Sequence, residues 1–437
     1  MDLLIRNAKI LTMNDNMDII ENGTVAIRDD KIFYVSNNNI VPPDFSTSNV
    51  IDAKGRLVMP GLVNAHTHAA MSLLRNYADD LPLEQWLFDK IFPVEDKLTA
   101  EDVYWGSMIS IIEMIKSGTT CFADMYFFME EVARAVAETG IRANLSRGLI
   151  CPSSDYDFNN DIRIKETREL FNNWNGKENG RIKVYVAPHS VYTCSPSYVQ
   201  DTVNLAKELN TGIHIHLLET QVEERDSIKN FGCTSIEHCD KMGMFDVPTI
   251  AAHCVHLSDE DLNIIAKKKV NIAHNPGSNL KLASGIARLP EMLQKGINVA
   301  LGTDGPASNN NLDMFEEIRL AALISKGFHM NAVLISAAEA LKLAVNNGAK
   351  ALGFGDELGE IKTGMKADIL IIDTDKVNYI PENNMISALA YSSNSQDVDT
   401  VIVDGKILMQ GRELKTIDEE KVKFMAKEKA KALINRV

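Results

Sequence analysis

The sequence predicts an α/β chain: a (β/α)₈ TIM-like barrel carrying a small β-sandwich assembled from both chain ends. Three observations predict it. Eight short apolar segments recur through the middle of the 437 residues, most of them separated by helix-like stretches. Such alternation indicates a parallel sheet, and eight repeats are the count of the barrel. The two ends share another texture, short alternating strands punctuated by Asn, Asp and Gly. Finally, no G-x-G-x-x-G follows any strand, which sets aside the doubly wound open sheet.

At the N-terminal end, "DLLIRNAKILT", "GTVAIRDDKIFYVS" and "SNVIDAKGRLVMP" read as antiparallel strands. The barrel segments follow as "LVMPGLVNAH", "GTTCFADM", "RANLSRGL", "KVYVAPHS", "GIHIHLLE", "TIAAHC", "VNIAHNP" and "NVALGTD". Helical patterns lie between them, as in "AEDVYWGSMISIIEMIKS" and "SPSYVQDTVNLAKELN". After the eighth come "NLDMFEEIRLAALISK" and "ISAAEALKLAVNNGAKAL", and then the β texture returns in "KADILIIDTD" and "DTVIVDGKILMQGREL". Because chain termini commonly meet in space, residues 1–57 and 349–437 are expected to form one discontinuous unit, with a C-terminal helix, around a barrel over 58–348. That length suits a large barrel plus a smaller companion.

Composition narrows the functions. Hydrophobic residues are 45% and charged residues 24%, an ordinary globular balance. A net charge of −15 argues against a nucleic-acid partner. "MDLLIRNAKILTMNDN" alternates and has an acid second, unlike a signal peptide, and no apolar run approaches bilayer length. The six cysteines are dispersed with no C-x-x-C pair, so they read as reduced thiols of a cytoplasmic protein. The thiolate-ligated zinc signature P-C-x-x-C is missing.

Barrel chemistry gathers at the C-terminal ends of the strands. There stand His66 and His68 (strand one), His189 (four), His214, His216 and Glu219 (five), His253 (six), His274 (seven) and Asp304 (eight). His66 and His68 are two apart and leave one face of a strand, where two imidazoles can hold one metal ion. An isolated H-x-H is as readily a polar pair in a loop. His216 adds a third nitrogen and Asp304 a carboxylate. Three His and one Asp suit a borderline divalent ion such as zinc, ferrous iron being the alternative, with a position open for water. His214 shares a face with His216 and reads as a core or supporting histidine. His216 is preferred because Glu219, three residues on, can clear the strand end and reach that water.

Taken together, "PGLVNAHTH", "HIHLLET", "AAHCVHLSDED", "HNPGSNLKLASG" and "ALGTDGPASNNNLDMFEE" resemble the amidohydrolase superfamily. More narrowly they are similar to its 5-methylthioadenosine/S-adenosylhomocysteine deaminases, a branch that "LEQWLFDKIFPVEDKLT" favours over guanine deaminases and triazine hydrolases. The resemblance covers essentially the whole chain and implies a barrel of the metal-dependent hydrolase type. It implies one catalytic metal on His66, His68, His216 and Asp304, with Glu219 as general acid/base and His253 positioning the hydroxide. It further implies that His189 and Glu95 bind the ribose or ring, with Glu219 and Asp304 also touching substrate. No lysine ends strand four, where two-metal relatives place a carboxylated one, which supports a single ion. Homo-oligomers, dimers or tetramers, are also implied.

The chemistry follows from the same residues. Replacing an aromatic amino group by oxygen needs a strong nucleophile and a protonated ring. A divalent ion lowers the pKa of its water from about 15.7 to about 7, and Glu219 can carry protons to the ring nitrogen and the leaving amine. Glu95 can accept two hydrogen bonds at once, which suits a ribose diol; a helix-flanking surface acid is the other reading. Arg147, at the end of strand three, is the candidate for the amino-acid carboxylate of S-adenosylhomocysteine, with Arg163 and Arg142 as competitors. Trp86, Leu87 and Phe88 offer an apolar wall for a thioether or ring. The expected activity is hydrolytic deamination of S-adenosylhomocysteine, 5-methylthioadenosine and adenosine to inosyl products and ammonia. The alternatives are a hydrolase of a free ring such as guanine or a chlorotriazine and, distantly, a non-catalytic scaffold.

Overall fold

The computed structural model describes residues 2–38, 40–41 and 43–437. Eight parallel strands run in sequence order around one sheet: Leu62–Thr67, Thr119–Tyr126, Arg142–Leu149, Ile182–Pro188, Ile213–Leu217, Thr249–His253, Asn271–His274 and Val299–Leu301. They are buried nearly throughout, as strands covered on both faces must be. Helices such as Ala100–Lys116, Met129–Thr139, Ile162–Trp174, Pro196–Glu208 and Met314–Phe328 intervene. Side-chain and backbone hydrogen bonds seal the seam between strands eight and one. Asn64 donates to Thr303 Oγ1 at 2.7 Å and accepts from the Thr303 N–H at 3.0 Å, while the Asp304 N–H donates to the His66 carbonyl at 3.0 Å.

The first apolar segment divides in two. Leu57–Pro60 belongs to the other sheet, pairing antiparallel with Ile369–Ile372, and only Leu62–Thr67 enters the barrel. Gly61 makes the crossing, where a Cβ would lie 1.9 Å from Thr120 Oγ1. A side chain there would drive the strands apart.

The second sheet draws Leu3–Leu11, Ile19–Arg28, Lys31–Ser36, Val50–Asp52 and Leu57–Pro60 from one end of the chain. Ile369–Ile372, Val398–Val403, Lys406–Gln410 and Glu413–Leu414 come from the other. It is mostly antiparallel, as the alternating pattern predicts. The exception is Leu3–Leu11, which pairs parallel with both Val50–Asp52 and Leu57–Pro60. Leu3, Ile5, Ile10, Ile27, Val58 and Ile371 share this sheet's core.

Arg142 ties the two sheets together. It begins strand three, at the end of the barrel away from the histidines, and is completely buried. Its guanidinium donates to both oxygens of Asp368, at 2.8 and 2.9 Å, and to Asp404 Oδ1 at 3.1 Å. It therefore cannot meet a substrate carboxylate at the mouth.

Candidate active site

The histidine-bearing strand ends meet in one place. His66, His68, His216 and Asp304 bring four donor atoms within 4.8 Å of one another. What aims each ring is the bond made by its other nitrogen. His68 Nδ1 lies 2.6 Å from the Met125 carbonyl and His216 Nδ1 2.8 Å from the His189 carbonyl. A carbonyl only accepts, so both Nδ1 atoms carry hydrogen, and each ring in its neutral form turns an Nε2 lone pair to the site. Yet those two Nε2 atoms face each other at 3.2 Å. His66 Nδ1 is bonded to His214 Nε2 at 2.8 Å, while its own Nε2 is buried without a hydrogen-bond partner. His214 thus stands behind His66 and outside the group of four.

A divalent cation among these atoms would resolve the arrangement. Two ligand atoms about 2.05 Å from one tetrahedral ion lie about 3.3 Å apart. Asp304 Oδ1 is 3.4 Å from His66 Nε2 and 3.3 Å from His68 Nε2, which matches. Asp304 turns that oxygen inward because Ser278 and Ser308 donate to its Oδ2 at 2.7 and 2.8 Å. Gly302 lets the loop come this close, since a Cβ would sit 2.8 Å from the His66 backbone nitrogen. The residues present fit a bound ion.

Backbone conformation at these ends is unusual. His253, Cys254 and Asp304 take left-handed φ values of 70°, 48° and 61°. Each such non-glycine residue costs on the order of 1–3 kcal/mol and persists where its surroundings over-determine it.

Glu219 and His253 face the same space. Ser284 donates to Glu219 Oε1 at 3.1 Å, and His253 Nε2 lies 3.9 Å from Glu219 Oε2. Burial pushes the Glu219 carboxyl up from its usual range. His253 Nδ1 bonds Asn279 Oδ1 at 2.8 Å, so its Nε2 is left for the site.

One cavity joins these groups to His189 and Glu95, behind an apolar wall that includes Trp86, Leu87, Phe92 and Tyr192. Glu95 is buried, and Tyr126 donates to its Oε1 at 2.6 Å. Burial raises its carboxyl from 4.5 to about 7. His189 bonds Thr193 Oγ1 through Nδ1 at 3.1 Å, and burial lowers the ring from 6.5 to about 3, so it is neutral.

Other candidates fall elsewhere. Trp86 and Leu87 line the cavity on a π-helix, Gln85–Ile91, whereas Phe88 is half exposed and packs edge-on against Phe92. Successive residues of a helix point in different directions, so with Trp86 and Leu87 facing the cavity Phe88 turns away from the wall it was expected to build. Arg147 lies behind Gly148 and Phe127, which line the cavity, and its Nε donates to Glu166 at 2.8 Å. Arg163 is held by Asp161 and the Ile150 carbonyl, on a separate surface cleft. His274 is buried but does not reach the cavity. Lys183 sits at the far end of strand four, bonded to the Gly353 carbonyl. Tyr126, Ser278, Ser284, Ser308 and Asn279 escaped sequence reasoning. Each supports a functional group, and all but Tyr126 stand within the quoted motifs "HNPGSNLKLASG" and "ALGTDGPASNNNLDMFEE", where the residue types alone do not reveal what they support.

All six cysteines are buried and unpaired, and among the described residues no helix is long and apolar enough to cross a membrane. The sequence profile of the amidohydrolase family matches residues 57–408. A 5-methylthioadenosine/S-adenosylhomocysteine deaminase of Acetivibrio thermocellus is 57% identical over 434 residues, covering 99% of this chain and 100% of that protein. One of Thermoanaerobacter pseudethanolicus is 55% identical over 436 residues, covering 100% of both. The solved structure of an adenosine deaminase from Xanthomonas campestris with bound zinc superposes with a TM-score of 0.94 at 33% identity, over 99% of each chain. This chain belongs to the amidohydrolase family, in the branch of its 5-methylthioadenosine/S-adenosylhomocysteine deaminase relatives.

Proposed function

We propose that this chain is a metal-dependent hydrolase that replaces the adenine amino group of small nucleosides by oxygen and releases ammonia. S-adenosylhomocysteine and 5-methylthioadenosine are its foremost substrates, and adenosine shares their reacting half. The observation that carries the nucleoside reading is Glu95, a buried carboxylate held by Tyr126 in the same cavity as Glu219 and the group of four. A ribose presents two neighbouring hydroxyls to such a carboxylate; a free base or a triazine presents none.

His66, His68, His216 and Asp304 would hold the metal, and zinc is the ion we assign. When bound it lowers the pKa of water from about 15.7 to about 7, supplying a hydroxide-strength nucleophile at neutral pH. Glu219 takes a proton from the attacking water and passes it to the ring nitrogen beside the carbon under attack. The same carboxylate then takes the proton of the hydroxyl now on that carbon, as the C–O bond becomes a carbonyl, and gives it to the departing amine, so ammonia leaves rather than amide ion. Its raised proton affinity suits a group that holds a proton for part of each cycle. His253 Nε2 and Asp304 orient the nucleophile, work in which geometry outweighs charge. Neutral His189 contributes a hydrogen bond to the ring or ribose. Arg147, one residue from the cavity wall, is assigned to the amino-acid carboxylate of S-adenosylhomocysteine. Catalysis is assigned to residues 58–348, with 1–57 and 349–437 as its support.

Glu219→Gln tests the mechanism. Turnover is expected to fall by about 10²–10⁴-fold with one metal per chain retained. Near-normal turnover would remove Glu219 from the proton path.

A further inference from the structure

The helix that follows strand five begins with an arrangement the mechanism above leaves unused. Thr220 caps the helix Gln221–Phe231, its hydroxyl oxygen accepting the Glu223 N–H at 3.2 Å. In an ordinary capping box, an acidic side chain at this third helical position turns back to the N–H of the cap residue. Here it reaches further. Glu223 Oε1 accepts the N–H of Leu218 at 2.8 Å, and Oε2 accepts the N–H of Glu219 at 3.2 Å.

Three features make this more than a helix cap. The Glu223 side chain is buried, so its two bonds are not traded with water. Leu218 is left-handed at φ 48°, a conformation that a branched side chain keeps only where its surroundings impose it. And the second clamped amide belongs to Glu219, whose carboxylate must stay between Ser284 Oγ at 3.1 Å and His253 Nε2 at 3.9 Å.

We propose that Glu223 is a positioning residue for the deamination: its two carboxylate oxygens fix the Leu218–Glu219 backbone, and so the place from which Glu219 moves protons. The assignment rests on the proposed role of Glu219. A carboxylate is required because two N–H donors lie side by side. Glutamine offers one acceptor and sets an N–H against the other donor. The helix N-terminus further favours a negative charge at this point.

The test is Glu223→Gln in the zinc-loaded enzyme, with Glu224→Gln, one residue along the helix, as control. For S-adenosylhomocysteine, kcat is expected to fall about 10- to 100-fold, the cost of a small misplacement of a reacting group. KM should stay within about threefold and metal stoichiometry should be unchanged. The control should match the unaltered enzyme. A folded, metal-loaded Glu223→Gln with unchanged kcat overturns the proposal, as does a loss that merely tracks lost metal. Should the variant fail to fold, or the unaltered enzyme not deaminate nucleosides, amide hydrogen exchange on the unaltered protein decides about the clamp. The N–H groups of Leu218 and Glu219 are expected to exchange as slowly as those of strand Ile213–Leu217, and exchange at loop rates overturns it. Absence of deamination with slow exchange would fault the substrate assignment and leave the clamp standing.

Discussion

Three imidazoles and a carboxylate converge here because the far side of each is already bonded. Carbonyls of Met125 and His189 fix His68 and His216, His214 fixes His66, and two serines fix Asp304. The two-residue spacing of His66 and His68 is legible from strand parity alone. So is the pairing of His216 with Glu219, which needs only a strand end between them. The supports are not legible, because Met125 and Ser278 are set by folds of chain remote from the residues they serve. Arg142 shows the opposite error: an arginine in a strand looks available for a carboxylate, and its burial against Asp368 appears only in three dimensions. Glu95 gives the residue-scale test of substrate class. Glu95→Ala removes the acceptor for the ribose hydroxyls, and kcat/KM for 5-methylthioadenosine is expected to fall about 10- to 100-fold, as for hydrogen bonds to a charged group. An unchanged kcat/KM would mean that Glu95 does not meet the ribose.

Among elements, strands proved the easiest to place, since buried parallel strands leave continuous apolar runs. All eight barrel segments fall where the sequence puts them, apart from the first, which Gly61 divides between two sheets. That division is invisible in "LVMPGLVNAH", where both strands are equally apolar. The loops that bear the chemistry are knit by buried carboxylates, and Glu317 on the helix Met314–Phe328 joins two of them. It accepts the Gly277 N–H at 3.0 Å and the Asn309 side-chain amide at 2.7 Å. Burial raises its carboxyl from 4.5 to about 8. The folded state therefore keeps a proton that the unfolded chain has released over that window, and stability from this group declines as pH rises from about 4.5 to about 8. Glu317→Gln has no such proton to lose. Unfolding by urea at pH 5, 6, 7 and 8 is expected to show the variant gaining on the unaltered protein at each step. A difference that stays constant with pH would contradict the raised carboxyl.

For the molecule as a whole, the two β-rich ends and the barrel act as one body through Leu57–Pro60 and the Arg142–Asp368–Asp404 knot. The joining of the ends follows from their shared texture, whereas the knot depends on residues more than two hundred positions apart. Arg142→Ala leaves Asp368 buried without its cation, while Asp404 keeps Lys366 Nζ at 3.3 Å, and a loss of about 3–5 kcal/mol is expected in chemical denaturation. An unchanged midpoint would show that the knot contributes nothing to holding the sheets together. The family's barrel is shared by enzymes that differ in substrate, so the central claim is the nucleoside, and it is tested by ammonia release. The zinc-loaded enzyme should be offered S-adenosylhomocysteine, 5-methylthioadenosine, adenosine, free adenine and guanine side by side. Turnover of the three nucleosides with neither free base consumed is the expected result; turnover of guanine alone, or of none of the five, would contradict it.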